Sequence, residues 1–279
     1  MRSDSGTPHA GFVSLVGAGT GAADLLTIRA AQRLAEADLV LHDGLVTADV
    51  LSLAPGAQHV RVSRRPGDKM VTQDEVSALM IDAARAGRRV VRLKAGDPFV
   101  LGRGGEEALA LAEAGVPFDI VPGLTAAVVA PAAAGIPVTH RGVASGFVVV
   151  SGHAEDAFAP VLEHLPAHVA TIVVLMGFAE RARVAAFLIA RGWSAETPTA
   201  IVTNASQLTE RVWTGTLAVL GDAWPDATVD DAHTLVIGDV VAVGAVIAAG
   251  MSAPSESRSS DGHEPGSQDL RPRAAVICA

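Results

Sequence analysis

The chain has 279 residues, 49% of them hydrophobic and 18% charged, which suffices for one large or two medium domains with a sizeable core. Its formal net charge of −9 argues against nucleic acid as a partner, because phosphate binding requires a basic surface. The only cysteine, Cys278, excludes an intrachain disulfide and a cysteine-based metal cluster, and the nine histidines show no H-E-x-x-H spacing.

The first elements follow a strand, turn and helix pattern. Residues 1–10 are polar and are interpreted as a loose leader without the apolar segment of a signal peptide. Phe12–Val16 is an apolar strand, a glycine-rich turn follows at residues 17–22, and a helical pattern covers about Thr27–Ala37. This order predicts the start of an α/β domain.

The glycine-rich turn is close to a dinucleotide fingerprint. Gly17, Gly19 and Ala22 fit G-x-G-x-x-G/A after a strand, and the next strand, Asp38–His42, ends at Asp43. A nicotinamide- or flavin-dependent enzyme is therefore one hypothesis from this unit. The alternative is a tight turn that packs a helix on a strand.

A basic turn follows the third strand, which we place at His59–Val62. Residues 61–69 carry four cations, Arg61, Arg64, Arg65 and Lys69, against one acid. A solvated loop is one interpretation. The local reversal of charge sign in an acidic chain is also typical of a place that binds an acidic ligand.

The segment Arg92–Glu107, R-L-K-A-G-D-P-F-V-L-G-R-G-G-E-E, has the strongest functional signal in the chain. It continues an apolar strand from Val90, turns at Gly96–Pro98 and opens a helix at Glu106. A strand that enters a glycine-rich charged loop and then a helix is where open α/β sheets place ligands. A plain connection rarely needs four glycines in ten residues, so a site is favoured over a polar loop.

Strands and helices alternate through both halves of the chain, which predicts an α/β fold with two α/β domains and a cleft between them. The predicted organisation is a leader at 1–10, an N-terminal domain at 11–134, a hinge at 135–146, a C-terminal domain at 147–251 and a disordered tail at 252–279.

The longest apolar run, Val240–Met251, is shorter than the roughly 20 residues that a membrane-spanning helix needs. We therefore expect no membrane partner and a soluble, cytoplasmic protein.

Several further blocks occur in a fixed order along the chain: Leu15–Gly19, Leu25–Thr27, Ala37–Val40 with Asp43, Val91–Lys94, Gly96–Phe99, Gly102–Glu107, Val121–Gly123, Thr125–Ala127, Gly135–Pro137 and Thr139–Arg141. Together they resemble the uroporphyrinogen-III C-methyltransferases of the tetrapyrrole methylase family. The likeness extends over about Phe12–Val246 and is strongest from Val90 to Arg141.

The resemblance implies a two-domain fold with S-adenosylmethionine in the interdomain cleft. It also implies the methylation of two ring carbons of uroporphyrinogen III to precorrin-2, for cobalamin or sirohaem synthesis. By the same resemblance the enzyme forms a homodimer. From the cysteine and histidine content we expect no metal.

The resemblance further implies roles for individual residues. Asp43 and Arg64 stand at the proton-handling positions. The implied co-substrate contacts are Thr20, Ala95, Gly96, Asp97, Val100, Thr125, Ala126, Met176 and Ala205. Cations suited to the substrate carboxylates are Arg65, Lys69, Arg103, His140 and Arg141.

The chain departs from the family pattern at five positions. Thr20 replaces a usual Pro, His42 a usual Tyr, Ala95 a usual Gly and Lys69 a usual His. Arg64 stands where Lys is usual. Since Arg stays protonated, it suits carboxylate binding better than proton transfer.

Three alternatives to this function stay open. One is a methyltransferase of the same fold that acts on a later corrin intermediate. Another is the nicotinamide-dependent oxidoreductase that the first glycine turn suggests. The third is a protein that binds a tetrapyrrole without turnover, which the missing Lys allows.

Overall fold

Two five-stranded sheets organise the computed structural model, which describes residues 11–62, 71–224 and 231–251. The strands of the first sheet are β1 (Phe12–Gly17), β2 (Leu39–His42), β3 (Gln58–Arg61), β4 (Arg89–Lys94) and β5 (Phe118–Val121). They lie in the order β3-β2-β4-β1-β5, and all four pairs are parallel. All carboxyl ends of these strands therefore meet at one edge.

Helices cover both faces of the first sheet. On one face lie α1 (Ile28–Ala35) and α2 (Ala48–Leu51), and on the other α3 (Gln73–Arg85) and α4 (Gly104–Glu113). Because side chains alternate along a strand, Val91 and Leu93 of β4 join the first core and Val90 joins the second. The strand is thus buried on both sides, which explains its apolar run.

The second sheet is mixed. Its strands are β6 (Phe147–Ser151), β7 (Thr171–Leu175), β8 (Pro198–Thr203), β9 (Arg211–Thr216) and β10 (His233–Ile237), in the order β6-β7-β10-β8-β9. Strands β6 and β7 are parallel, whereas β10 runs antiparallel to both β7 and β8. The predicted class of two α/β domains is confirmed.

Helices also cover both faces of this sheet. One face packs against α6 (Glu155–Leu162) and α7 (Arg181–Ala190), with the Phe158 and Phe187 rings in edge contact at 5.5 Å. The other face carries α5 (Ala126–Ala133) and α8 (Val240–Ala248). Two 3₁₀ helices, Ala23–Leu25 and Leu217–Asp222, complete the described elements.

Helix α5 links the two halves. The sequence pattern places it in the N-terminal domain, yet Ala130 is buried with Ala200, Val236 and Val240 of the second half. Its small side chains allow this close contact with the second sheet. The division of the chain at residue 134 stays a prediction, and α5 belongs by packing to the second core.

The apolar segment from Val240 forms α8, a helix that the sequence analysis left unassigned. Within the described residues, no helix combines the length and apolarity that crossing a bilayer requires.

Three strand ends of the first sheet approach one another through glycines. A Cβ on Gly17 would stand 2.5 Å from the Cα of Gly123 and 2.6 Å from the carbonyl oxygen of Gly96. Such distances exclude any side chain at the end of β1. The glycine of the dinucleotide-like pattern therefore serves strand packing here.

We expect Gly17→Ala to destabilise the fold by about 1–3 kcal/mol, because the added methyl group has no space. Urea unfolding monitored by tryptophan fluorescence measures this loss. Gly105→Ala is the matched control: a Cβ there meets nothing within 4 Å and the residue lies in α4, so its stability should hold or rise. Equal stability of the Gly17 variant and wild type would contradict the packing role.

Candidate active site

The carboxyl edge of the first sheet forms one wall of a cleft. Asp43 follows β2, Thr20 follows β1 in a short loop, and Ala95–Asp97 directly follow β4. The adjacent strand β5 leads to Thr125 and Ala126 at the start of α5. The parallel order brings these segments together although they are far apart in sequence.

The second sheet supplies the opposite wall. Leu175 and Met176 lie at the end of β7, and Ala205 lies just after β8. Because β10 is antiparallel to both strands, its start, residues 231–234, lies at the same edge. The cleft has a volume of about 1090 Å³. That is at the upper end of the range for small-molecule sites.

Two glycines shape the floor of the cleft. Gly19 and Gly96 exchange backbone hydrogen bonds of 3.1 and 2.7 Å, and their φ angles are +65° and +69°. Only glycine adopts this conformation without strain. Asp97 stabilises the same turn, since its carboxylate accepts from the backbone N–H of Phe99 at 2.8 Å and of Gly123 at 3.1 Å.

Backbone strain is concentrated around the cleft. Leu101, Arg103 and Met176 line it with φ angles of +54°, +59° and +57°. Asn204 and Ser206, on either side of Ala205, have φ angles of +50° and +66°. Such conformations cost of order 1–3 kcal/mol each and are typical of functional sites.

Hydrogen bonds join the two walls at Thr20. Its hydroxyl lies 2.6 Å from that of Ser206, and its carbonyl accepts from Nε2 of Gln207 at 2.8 Å. A proline, the usual family residue, has no hydroxyl for the first of these bonds. The departure at Thr20 therefore has a structural use in this chain.

A buried cluster of charges lies beneath Asp43. Nη2 of Arg92 donates to Oδ1 of Asp43 at 2.6 Å, and Nε of Arg92 donates to Oε1 of Glu107 at 2.9 Å. Nζ of Lys94 lies 2.9 Å from Oε2 of Glu107. Oδ2 of Asp43 also accepts from the N–H of Ala95 at 3.3 Å. Asp43 is thus held on both oxygens.

Burial lowers the pKa of two side chains here. It lowers the pKa of Lys94, and the adjacent Arg92 charge acts in the same direction, against the opposing effect of Glu107. Burial also lowers the pKa of His42, which is therefore mainly neutral at pH 7.

Most of the predicted site residues that the structure describes meet in the cleft. The lining includes Asp43 and all nine predicted co-substrate residues, Thr20, Ala95, Gly96, Asp97, Val100, Thr125, Ala126, Met176 and Ala205. Arg103 also lines it and pairs with Glu106 at 2.6 Å. Their contacts with ligands stay predictions.

Other predicted residues lie elsewhere. His140 and Arg141 occupy an exposed turn and do not contribute to the lining of the cleft. Arg64, Arg65 and Lys69 lie outside the described residues. Within the described ranges, no group of three or more His, Cys, Asp or Glu side chains is placed to hold a metal ion.

Sequence reasoning missed the buried cluster. The sequence pattern describes Arg92–Glu107 only as a strand, a turn and a helix start, and it assigns no partner to Arg92, Lys94 or Glu107. A signal was present, because alternating charges within an apolar central strand require buried partners. Gln73 was missed as well; it donates to Oε1 of Glu107 at 2.8 Å and lines the cleft.

Comparison with solved structures supports the fold. Uroporphyrin-III C-methyltransferase from Thermus thermophilus, solved with S-adenosylhomocysteine, is 42% identical with a TM-score of 0.71. The match covers 83% of this chain and 99% of that one. A cobalt precorrin-4 methyltransferase is 26% identical, also with a TM-score of 0.71, and covers 84% of this chain and 96% of that one.

Curated relatives are longer proteins. Siroheme synthase 2 of Aeromonas hydrophila is 43% identical over 242 residues, which is 86% of this chain and 51% of the relative. Siroheme synthase 1 of Klebsiella pneumoniae is 45% identical over 233 residues, 83% of this chain and 49% of the relative. The chain thus spans about half the length of these relatives.

The sequence profile of the tetrapyrrole (corrin/porphyrin) methylases matches residues 13–221, most of both α/β domains and nearly all of the cleft. With the two-walled cleft and the relatives above, this match identifies the chain as a member of the tetrapyrrole methylase family.

Proposed function

We propose that this chain transfers methyl groups from S-adenosylmethionine to two ring carbons of uroporphyrinogen III, giving precorrin-2 by way of precorrin-1. The observation that carries the proposal is the match to uroporphyrin-III C-methyltransferase over 99% of that chain at 42% identity. The proposal concerns methyl transfer alone, because the siroheme synthases are about twice as long as the matched region.

The residues present fit S-adenosylmethionine. Val100, Leu175 and Met176 offer apolar surface for a nucleoside, and the Gly96 turn allows backbone to approach a ligand closely. The volume of about 1090 Å³ leaves room for part of a second molecule. When bound, this co-substrate supplies an electrophilic methyl group.

The chain's own residues position the reactants and accept a proton. Holding carbon, methyl and sulfur in line contributes roughly 7–11 kcal/mol in well-oriented systems. After attack, the methylated ring loses a proton, and Asp43 is the acceptor in this proposal because its carboxylate is fixed at the cleft wall. Arg61 and Arg103, which also line the cleft, are suited to the substrate carboxylates.

One alternative has a specific observation in its favour. The cobalt precorrin-4 methyltransferase matches this chain with the same TM-score as the uroporphyrin enzyme, at lower identity. Incubation with uroporphyrinogen III and S-adenosylmethionine, followed by absorption spectra, separates the two. Formation of the precorrin-2 chromophore supports the proposal, and an unchanged spectrum with active co-substrate binding favours a later corrin substrate.

The homodimer and the cytoplasmic location implied by the resemblance also stay proposals. Sedimentation of the purified chain would give its assembly state.

We expect Asp43→Asn to lose turnover by roughly 10²–10⁴-fold while it retains co-substrate affinity, because only the proton acceptor is removed. Calorimetry with S-adenosylhomocysteine and a tetrapyrrole methylation assay measure the two quantities. Asp38→Asn is the matched control, since Asp38 flanks the same strand and pairs with Arg89 of β4 at 3.1 Å, away from the cleft. Unchanged turnover of Asp43→Asn would contradict the role of Asp43 as the proton acceptor.

We expect Arg103→Ala to weaken tetrapyrrole binding more than co-substrate binding, because the guanidinium lies on the cleft and suits carboxylates. Fluorescence titration with each ligand measures both affinities. Arg183→Ala is the control: Arg183 also pairs with a Glu three residues away, Glu180 at 3.0 Å, and its exposed side chain does not line the cleft. Equal losses for both ligands would count against a substrate-specific role.

A further inference from the structure

The charged side chains that contact Asp43, directly or through one another, are buried to an unusual degree. The side chains of Glu107, Lys94 and Arg92 are 0%, 2% and 5% exposed, whereas that of Asp43 is 24% exposed. Asp43 is therefore the member most open to the cleft. Arg92 and Lys94 also line the cleft but expose very little surface, and Glu107 is fully buried. Of these four residues, only Asp43 has a role in the proposed mechanism.

Stability does not explain such a cluster. Removing charges from water is costly, and well-packed apolar side chains in place of a buried ion pair are often neutral or stabilising. Positions 92, 94 and 107 lie between apolar residues of β4 and α4 that would form such a core. The retention of four charges here points to a task in the cleft.

Glu107 contacts three polar side chains of the site. Its Oε1 accepts from Nε of Arg92 at 2.9 Å and from Nε2 of Gln73 at 2.8 Å, while its Oε2 pairs with Nζ of Lys94 at 2.9 Å. The guanidinium of Arg92 is planar and rigid, so fixing Nε also fixes Nη2, which donates to Asp43. The position of the Glu107 carboxylate thereby determines the position of the Nη2 group that binds Asp43.

Lys94 completes the charge balance. With two cations and two anions, the cluster of Asp43, Arg92, Lys94 and Glu107 is formally neutral. The chain contains 19 arginines and only two lysines, Lys69 and Lys94. An ammonium group is compact and has a single centre of charge, so it neutralises Oε2 of Glu107 without the fork of hydrogen bonds that Arg would need.

We propose that Glu107 and Lys94 are positioning residues for Asp43, acting through Arg92. Glu107 fixes the guanidinium that holds Oδ1 of Asp43. Lys94 balances the charge of Glu107, which leaves the guanidinium of Arg92 as the counter-charge of Asp43. The catalytic consequence rests on the proposed function, whereas the coupling between Lys94 and Asp43 does not.

Other charged and titratable groups lie near the cluster. His42 at the end of β2 is close enough to affect Asp43 electrostatically, and Glu106 of α4 and Arg103 in the loop after β4 are close to Lys94 and Glu107, respectively. Arg61 of β3 and Asp97 share the cleft lining with Asp43, and Asp74 of α3 lies near Arg103. They are unchanged in the variants below, so differences between variants report on the cluster.

The first test is the pH profile of turnover. Lys94→Met leaves one cation with two anions, and the added negative charge makes the proton acceptor hold its proton to higher pH. The acid limb of the kcat profile should move to higher pH, with the KM for S-adenosylmethionine nearly unchanged. The double variant Lys94→Met/Glu107→Gln restores neutrality and should move the limb back toward wild type.

A surface pair on the same strand serves as the control. Arg89 and Asp38 form an exposed ion pair at the other end of β4, so Arg89→Met and the double variant Arg89→Met/Asp38→Asn should leave the profile unchanged. A purely structural role of Lys94 would lower the folded fraction without moving the limb. An unmoved limb in folded Lys94→Met would overturn the proposal.

The second test needs no turnover. With only two lysines in the chain, protein labelled with ¹³C at lysine Cε gives two signals, which Lys94→Met assigns. Burial and Arg92 lower the pKa of Lys94, while Glu107 and Asp43 raise it. Asp43→Asn and Glu107→Gln should therefore each move the Lys94 titration to lower pH.

The two tests separate the two proposals. Lys94 curves that are identical in wild type and both variants would overturn the coupling, whatever the activity. Coupled titration without methylation of any tetrapyrrole would instead contradict the proposed function and leave the coupling established. The second test remains readable if Lys94→Met fails to fold, because Lys69→Arg then assigns the two lysine signals and the Lys94 titration can be compared in wild type, Asp43→Asn and Glu107→Gln.

Discussion

The close approach of three strand ends is the constraint on which the cleft depends. Gly17, Gly96 and Gly123 bring β1, β4 and β5 within the reach of backbone contacts that no side chain would permit. This contact fixes the position of the Gly96 turn in the floor of the cleft. The parallel order of the sheet then places Asp43 beside the same turn, since β2 is adjacent to β4.

The buried charges depend on strand β4. In β4, alternation directs Val91 and Leu93 to one core, while Arg92 and Lys94 lie on the face toward α4. One glutamate of α4 meets both cations. Strand β4 therefore contributes apolar side chains to the core on one face and the charged side chains that support Asp43 on the other.

Two departures from the family pattern are accommodated locally. Ala95 replaces a glycine, but the positive φ angle of this turn belongs to Gly96, so the backbone at position 95 tolerates the methyl side chain of alanine. The N–H of Ala95 still donates to Asp43. Thr20 replaces a proline and forms a hydrogen bond across the cleft to Ser206. The proposed Arg64 position lies outside the described residues and is not explained in the same way.

The sequence by itself determined the α/β class, most strands and helices, and the residues of the segment around Gly96, because hydrophobic periodicity and glycine spacing are local properties. Ordered motifs also determined the family resemblance, which gave Asp43 and the nine co-substrate positions. Only the tertiary structure decided that α5 packs on the second sheet, that His140 and Arg141 lie outside the lining, and that Glu107 joins Arg92 and Lys94. The physical reason is that a charge in a strand or a small residue in a helix does not specify its partner; partners are fixed when distant segments pack and each buried charge has to be neutralised.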